Sequence, residues 1–428
     1  MRGLIVNASQ VLVTSEVLLA LQLRNDDEPL FPGLTSLVCL HAAGDFIQFI
    51  PLFLPPGMKE IEIKFAPNAP ILTTALIITK ILTLCPHLAS LVLNSLPRNP
   101  VITKAASEML LACNRDTLQR IFVDSPLTGD AHEIIYRLPK LRSLLAIIEG
   151  STLLPQAELP NLGSISIQWD SGYEWLQGFR GATIGSLETA TFRPVAGSAQ
   201  IQGFLEEFQS VVLTTARDTL SGFSLCTSQS WTPNYSSLLG FKRLTNLTIQ
   251  FSCRNGCSST VDDDIIINLA RAMPGLRVLY LGQQPCQSVT GVTFRGLVAL
   301  ASCCLHLQML RVHLQANSLV EATTRMDPLF SSELTTDFPQ MTCALVNLQV
   351  GDTPIPEQAT VEVALTLLQI FPKIFYLKYA NPQWKRVEET IKLSRRVGNS
   401  IRHASKTCLP SLSLRIFNDA LQSGNTVV

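Results

Sequence analysis

Two close cysteine pairs, Cys253-Arg-Asn-Gly-Cys257 and Cys303-Cys304, come nearest to a chemical motif in this sequence. A tetrahedral zinc takes four Cys or His ligands, and neither pair has a partner pair at ligand spacing. The eleven cysteines are an odd number and otherwise scattered, with Cys113, Cys303 and Cys304 in apolar, helix-like stretches. They read as buried free thiols of a reducing compartment. Asp262-Asp263-Asp264 could gather around a cation, but it stands directly before "IIINLARAM", where acidic side chains cap and favour a helix N-terminus. "GATIGS" (181–186) has the glycines of a phosphate loop without its lysine and runs straight into Leu187. The histidines, at 41, 87, 132, 306, 313 and 403, are dispersed. No G-x-S-x-G elbow, H-E-x-x-H, P-loop or G-x-G-x-x-G is present, so neither catalysis nor a metal or cofactor site is expected.

These residues sit in an apolar chain, 46% hydrophobic and only 15% charged. The most hydrophobic run, Ile71 to Leu84, contains Lys80 and ends at Cys85-Pro86; it is shorter than the roughly 20 residues of a bilayer span and is expected to be a buried helix. Basic and acidic residues balance at 33 each with no basic stripe, which argues against nucleic acid as the main partner. The apolar start Met1 to Val6 is broken at once by Asn7 to Gln10, a poor secretion signal, so the sequons at Asn7, Asn234 and Asn246 read as coincidences. The expected compartment is intracellular, cytoplasmic or nuclear, with no membrane partner.

What positions the side chains is a repeat. The spacing L-x-x-L-x-L in "MPGLRVLYLG" (273–282) recurs with first anchors at Met1, Leu34, Met58, Leu88, Leu118, Leu141, Leu162, Leu187, Leu220, Leu244, Leu276, Leu307, Leu345, Ile374 and Leu409. The mean spacing is about 29 residues, within the range of solenoid repeats. A single copy means little, because three fixed apolar positions occur by chance in roughly one window in ten of so apolar a chain. Context adds weight: prolines 32, 86, 139, 160, 274 and 372 each stand two residues before an anchor, where proline ends a helix ahead of the next strand. Several linkers read as amphipathic helices: 101–113, 201–214, 265–273, 292–304 and 361–370. The unit is strand, loop, helix, and the expected fold class is an α/β solenoid. Trp169, Trp175, Trp231 and Trp384 read as packing residues, and 385–403 as a charged terminal helix shielding the last repeats.

These motif copies resemble leucine-rich repeats, and the resemblance covers essentially the whole chain. It implies a horseshoe with parallel strands on the concave face and helices on the convex face. The implied layout is an incomplete first repeat with cap helix and loop (1–33), an irregular array (34–383), and a C-terminal helix with a degenerate final repeat (384–428). Ala42, Ala66, Leu96, Pro126, Ser252, Gln284 and Gln315 occupy the ninth motif position, where extracellular members often carry an asparagine ladder. The array is more similar to the repeat region of F-box/LRR proteins, the substrate-recognising subunits of cullin-based ubiquitin ligases. Residues 1–33 hold one amphipathic helix, "TSEVLLALQL", and the loop "RNDDEP", without the helix triplet of an F-box. An apolar repeat strand at Met1 with no polar cap ahead of it suggests an N-terminally shortened chain.

In such a unit the anchors point inward and the residues between them outward. The outward positions are mostly neutral and hydrogen-bonding, with isolated cations and a few aromatics. The expected partner-binding residues are Arg120, Gln168, Arg193, Gln250, Tyr280, Arg311, His313 and Lys378, with Arg193, Tyr280, Arg311 and His313 the strongest anchors because Tyr and Arg dominate protein interfaces. The expected function is non-catalytic protein recognition, as the substrate arm of an F-box-type ligase whose adaptor would dock through a missing F-box. The alternatives are a scaffold unrelated to ubiquitin ligases and an extracellular receptor-type protein.

Overall fold

A computed structural model describes residues 2–7, 15–24, 28–112, 116–149, 156–184, 186–195, 201, 203–227, 233–251, 261–282, 291–315, 342–351 and 353–405. The chain forms two compact units, Met1–Ser259 and Thr260–Val428.

The first unit is built on ten parallel strands: β1 (Gly3–Asn7), β2 (Ser36–Ala42), β3 (Glu60–Phe65), β4 (Ser90–Asn94), β5 (Arg120–Pro126), β6 (Ser143–Ile148), β8 (Ser164–Trp169), β10 (Thr189–Pro194), β11 (Gly222–Thr227) and β12 (Asn246–Phe251). These ten pair one after another in chain order, β6 with β8 and β8 with β10, and the order never reverses. The short strands β7 (Glu158–Leu159) and β9 (Thr183–Ile184) form a separate parallel ladder. Helices α1 (Ser15–Arg24), α2 (Ile71–Leu84), α3 (Pro100–Leu111), α4 (Gly129–Ile135) and α5 (Phe204–Ala216) fill the crossovers, with 3-10 turns at Gly44–Phe53, Glu174–Phe179 and Tyr235–Leu238.

The second unit repeats the pattern with parallel strands β13 (Val278–Leu281), β14 (Met309–Arg311), β15 (Asn347–Gly351) and β16 (Tyr376–Tyr379). Its helices are α6 (Asp263–Ala272), α7 (Phe294–Cys303), α8 (Thr360–Ile370) and α9 (Gln383–Ser405).

The leucine triplets set the register. In the first unit the middle anchors Leu4, Leu37, Ile61, Leu91, Ile121, Leu144, Ile165, Ala190, Phe223 and Leu247 are register partners from strand to strand. Leu279, Leu310, Leu348 and Leu377 do the same in the second. First anchors from Leu34 to Ile374 are buried, so the apolar triplets leave water and hold each strand against the next, less completely on β1 and β16, where Leu4, Val6, Leu377 and Tyr379 are half-buried. Met1 and the copy at Leu409, with Cys113, Cys253, Cys257 and Trp231, lie outside the described residues.

The linkers expected to be helical are α3, α5, α6, α7 and α8. Asn99 caps α3, its Oδ1 accepting from the Val101 amide at 2.9 Å, and Pro100 opens the helix where no amide partner is needed. The Ile71–Leu84 helix, expected to be buried, buries only one face. Ile78 and Ile81 face the core, whereas Leu72 and Leu76 are 71% and 61% exposed, because a helix covering a sheet buries one face only. Where the β8 crossover has a 3-10 turn in place of an α-helix, aromatics fill the interior. Trp169 stacks on Phe204 with centroids 5.0 Å apart, and Phe208 lies 5.2 Å from Phe192 and 5.0 Å from Phe223. Trp169, Trp175 and Trp384 are fully buried packing residues. Trp384 on α9 donates its Nε1–H to the Thr353 carbonyl at 2.8 Å, and with Val387 and Ile391 it seats the terminal helix on the second unit.

Thiols also tie successive repeats together. Cys85 donates to the Pro55 carbonyl (3.6 Å), Cys304 to those of Ala270 (3.7 Å) and Met273 (3.6 Å), and Cys343 to that of Cys304 (3.5 Å). Burial pushes the Cys39, Cys85 and Cys304 thiols up to about 12, which leaves them protonated and unreactive.

Candidate functional site

Because inward and outward side chains alternate along each strand, one sheet face of each unit carries the residues between the anchors. In the first unit, strand register places Glu62, Val92, Phe122, Leu145, Ser166, Thr191, Ser224 and Thr248 in one row across successive strands. A flanking row carries Ile147, Gln168 and Arg193 as partners on β6, β8 and β10, and Cys226 beside Gln250 on β11 and β12. Arg120 lies on the other flank, beside Ser90 and Ser143.

This face has two chemically distinct parts. From β8 to β12 it is hydroxyl and amide: Thr189 donates to Ser164 Oγ at 2.8 Å, and the Cys226 thiol to Gln250 Oε1 at 3.8 Å. From β4 to β6 it is apolar, with Phe122 and Leu145 half-buried and Val92 and Ile147 buried. Of the expected residues, Gln168 and Arg193 are direct neighbours, Gln250 lies two strands further on, and Arg120 stands apart on β5. Arg120 and Arg193 are exposed, and Gln168 and Gln250 half-buried. Neither arginine, nor Glu60, Glu62 or Lys64 on β3, enters an ion pair among the described residues.

In the second unit the row runs Tyr280, Arg311, Gln349, Lys378. Tyr280 donates its hydroxyl towards Met309 Sδ at 3.6 Å. His313 does not join this row. It follows the end of β14, where its carbonyl accepts from Val292 N at 2.9 Å and its ring lies against Gly291. On β16, Tyr379 donates to Glu388 Oε2 at 2.9 Å, and burial followed by that carboxylate holds its hydroxyl above the usual phenol value.

The apolar patch on β4–β6 is the feature that sequence reasoning passed over. Its signal was present: "LVL" on β4 and "LLAI" on β6 put an apolar residue between two inward anchors, and that residue must point outward. The aspartate triplet resolves into separate structural tasks. Asp262 Oδ1 accepts from Ile265 N at 2.9 Å and caps α6; Asp263 accepts from the Thr293 amide at 2.8 Å; Asp264 pairs with Arg295 at 3.5 Å. Among the described residues no three His, Cys, Asp or Glu side chains cluster as a metal would require, and no helix is long and apolar enough to cross a membrane.

Fold and face together define an α/β protein of parallel strands laid down in chain order, with the outward residues of successive strands aligned in rows. No protein-family model matches the chain, and no curated protein matches it either.

Proposed function

We propose that the chain is a leucine-rich-repeat solenoid that recognises a protein partner on the outward face of its strands, as a binding module and not as an enzyme. The observation that carries this reading is the row of outward side chains held in register from β3 to β12, acidic on β3, apolar on β4 to β6 and hydrogen-bonding from β8 onward. A rigid sheet presenting an apolar centre with a polar surround suits a protein interface, where desolvated anchors supply most of the affinity. Service as the substrate arm of a ubiquitin ligase rests on the style of the repeats; a scaffold role without a ligase is the competing assignment.

Affinity purification with the wild-type chain and with Phe122→Asp and Arg193→Glu tests it, circular dichroism confirming that both variants fold. The expected result is a protein captured by the wild type and lost from both variants. Partners that ignore both substitutions overturn the reading. Recovery of a cullin adaptor only with a longer, F-box-bearing form assigns the ligase role, and its absence there assigns the scaffold.

A further inference from the structure

The outward row of the first unit is ordered by charge as well as polarity. On β3 Glu60 and Glu62 stand two residues apart, with Lys64 beyond them as the one cation on that strand face, and Val38 and Ile5 continue the Glu62 row onto β2 and β1. On the other side of β3 come Val92, Phe122 and Leu145, register partners on β4, β5 and β6. Ser166 and Thr191 then lead to Arg193, exposed on β10. The carboxylate on β5, Asp124, is already committed, accepting from the Ser95 amide at 3.0 Å. Between β3 and β10 the row therefore presents carboxylates, an apolar strip and a guanidinium, in that order, with Arg120 exposed on the β5 flank, and neither the two glutamates nor Arg193 enters an ion pair among the described residues.

We infer that this row binds an extended peptide carrying a basic residue, then an apolar one, then an acidic one, laid across the strands with its basic residue over Glu60 and Glu62. The inference rests on the recognition role proposed above and specifies its partner. Adjacent strands are about 4.8 Å apart, so the carboxylates lie roughly 10 Å from Phe122 and Arg193 roughly 14 Å beyond it. An extended chain advances about 3.3 Å per residue, which puts the apolar side chain about three residues from the basic one and the acidic one about four further. Charges of this kind set orientation and exclude wrong partners, while the apolar contact supplies affinity. A polyanion such as nucleic acid would meet Glu60 and Glu62 unfavourably at one end of the same row.

The test is selection of a random twelve-residue display library on the full chain, followed by fluorescence polarisation of enriched peptides on wild type, Phe122→Asp, Glu62→Lys and Arg193→Glu. Enriched peptides should show the basic–apolar–acidic order in either chain direction. Phe122→Asp and Glu62→Lys should each weaken binding about tenfold or more, and a peptide with its basic residue changed to Glu should recover affinity for Glu62→Lys. Should Phe122→Asp not fold, Phe122→Ser replaces it; the exposed charge variants carry the rest. Peptides sensitive to Phe122 but indifferent to both charge reversals overturn the inference and leave the recognition role standing. Peptides indifferent to all three variants overturn both, and a library that enriches nothing overturns the inference.

Discussion

His132 lies on α4 with 2% of its surface exposed, its ring stacked near Tyr136 with centroids 6.5 Å apart. Neither ring nitrogen meets hydrogen-bond geometry, so the Ile147 carbonyl only partly opposes the burial that lowers its pKa to about 4. An unfolded histidine titrates near 6.5, so the unfolded chain takes up the proton first as the pH falls. The neutral form's contribution is complete above about pH 6.5 and is lost as the pH falls towards about 4. Urea unfolding near pH 7 and near pH 4.5 should show a loss assigned to this residue of about 2 kcal/mol. His132→Phe keeps the ring stack and removes the titration, so its acid limb should be flatter by that amount. Parallel pH profiles for variant and wild type would show that the ring reaches water or a partner in the folded state. The Tyr136 hydroxyl, also buried without a partner, shares this apolar setting and is pushed up by burial.

Helix caps join neighbouring repeats, and Asp263 is the clearest case. From the first turn of α6 its carboxylate accepts from the Thr293 amide, the Thr293 hydroxyl and the Gly296 amide, which belong to the N-terminal end of α7. Position 296 has no room for a side chain, since a Cβ there would lie 2.6 Å from Asp263 Oδ1. Asp263→Ala strips amides at the α7 N-terminus of their acceptor and should cost about 1–3 kcal/mol, against about 1 kcal/mol for Asp262→Ala, which removes only the α6 cap. Chemical denaturation of the two variants checks the order; an equal or reversed cost would mean that the cross-repeat bonds contribute nothing. The sequence revealed the acidic helix start but not this link, because a bond between residues thirty apart leaves no local spacing to read. The strands were legible for the opposite reason: each anchor triplet is complete within six residues, and Pro86, Pro139, Pro274 and Pro372 stand beyond the ends of α2, α4, α6 and α8, although Pro160 follows the short strand β7 and not a helix. Where the pattern failed to separate inside from outside, as at Leu91-Val92-Leu93, three apolar neighbours concealed which one takes the outward position, and the apolar part of the candidate face went unread. His313 was misplaced among the strand residues because its repeat was counted on past Arg311, the last residue of β14.

At the scale of the molecule, the strands of each unit bond to one another in chain order, with only the short strands β7 and β9 standing apart in the first, and each compact unit buries anchors of its own. In such a stack stability is close to a sum of repeat terms and nearest-neighbour terms, so damage spreads by a few repeats and fades. Trp169 provides the probe: it is fully buried and touches Trp175, Phe192 and Phe204, contributions from three successive stretches of the first unit. Trp169→Ala should cost about 3–5 kcal/mol, mostly as a cavity among rings that cannot close around it. Hydrogen exchange read by mass spectrometry should then show amide protection falling most on β8 and β10, less on β6 and β11, and little on β13 to β16 of the second unit. A cooperative globule would lose protection evenly, because opening any part would require opening the whole. An even loss across both units would thus remove the nearest-neighbour picture, and with it the expectation that a partner held on β3 to β10 protects those strands selectively.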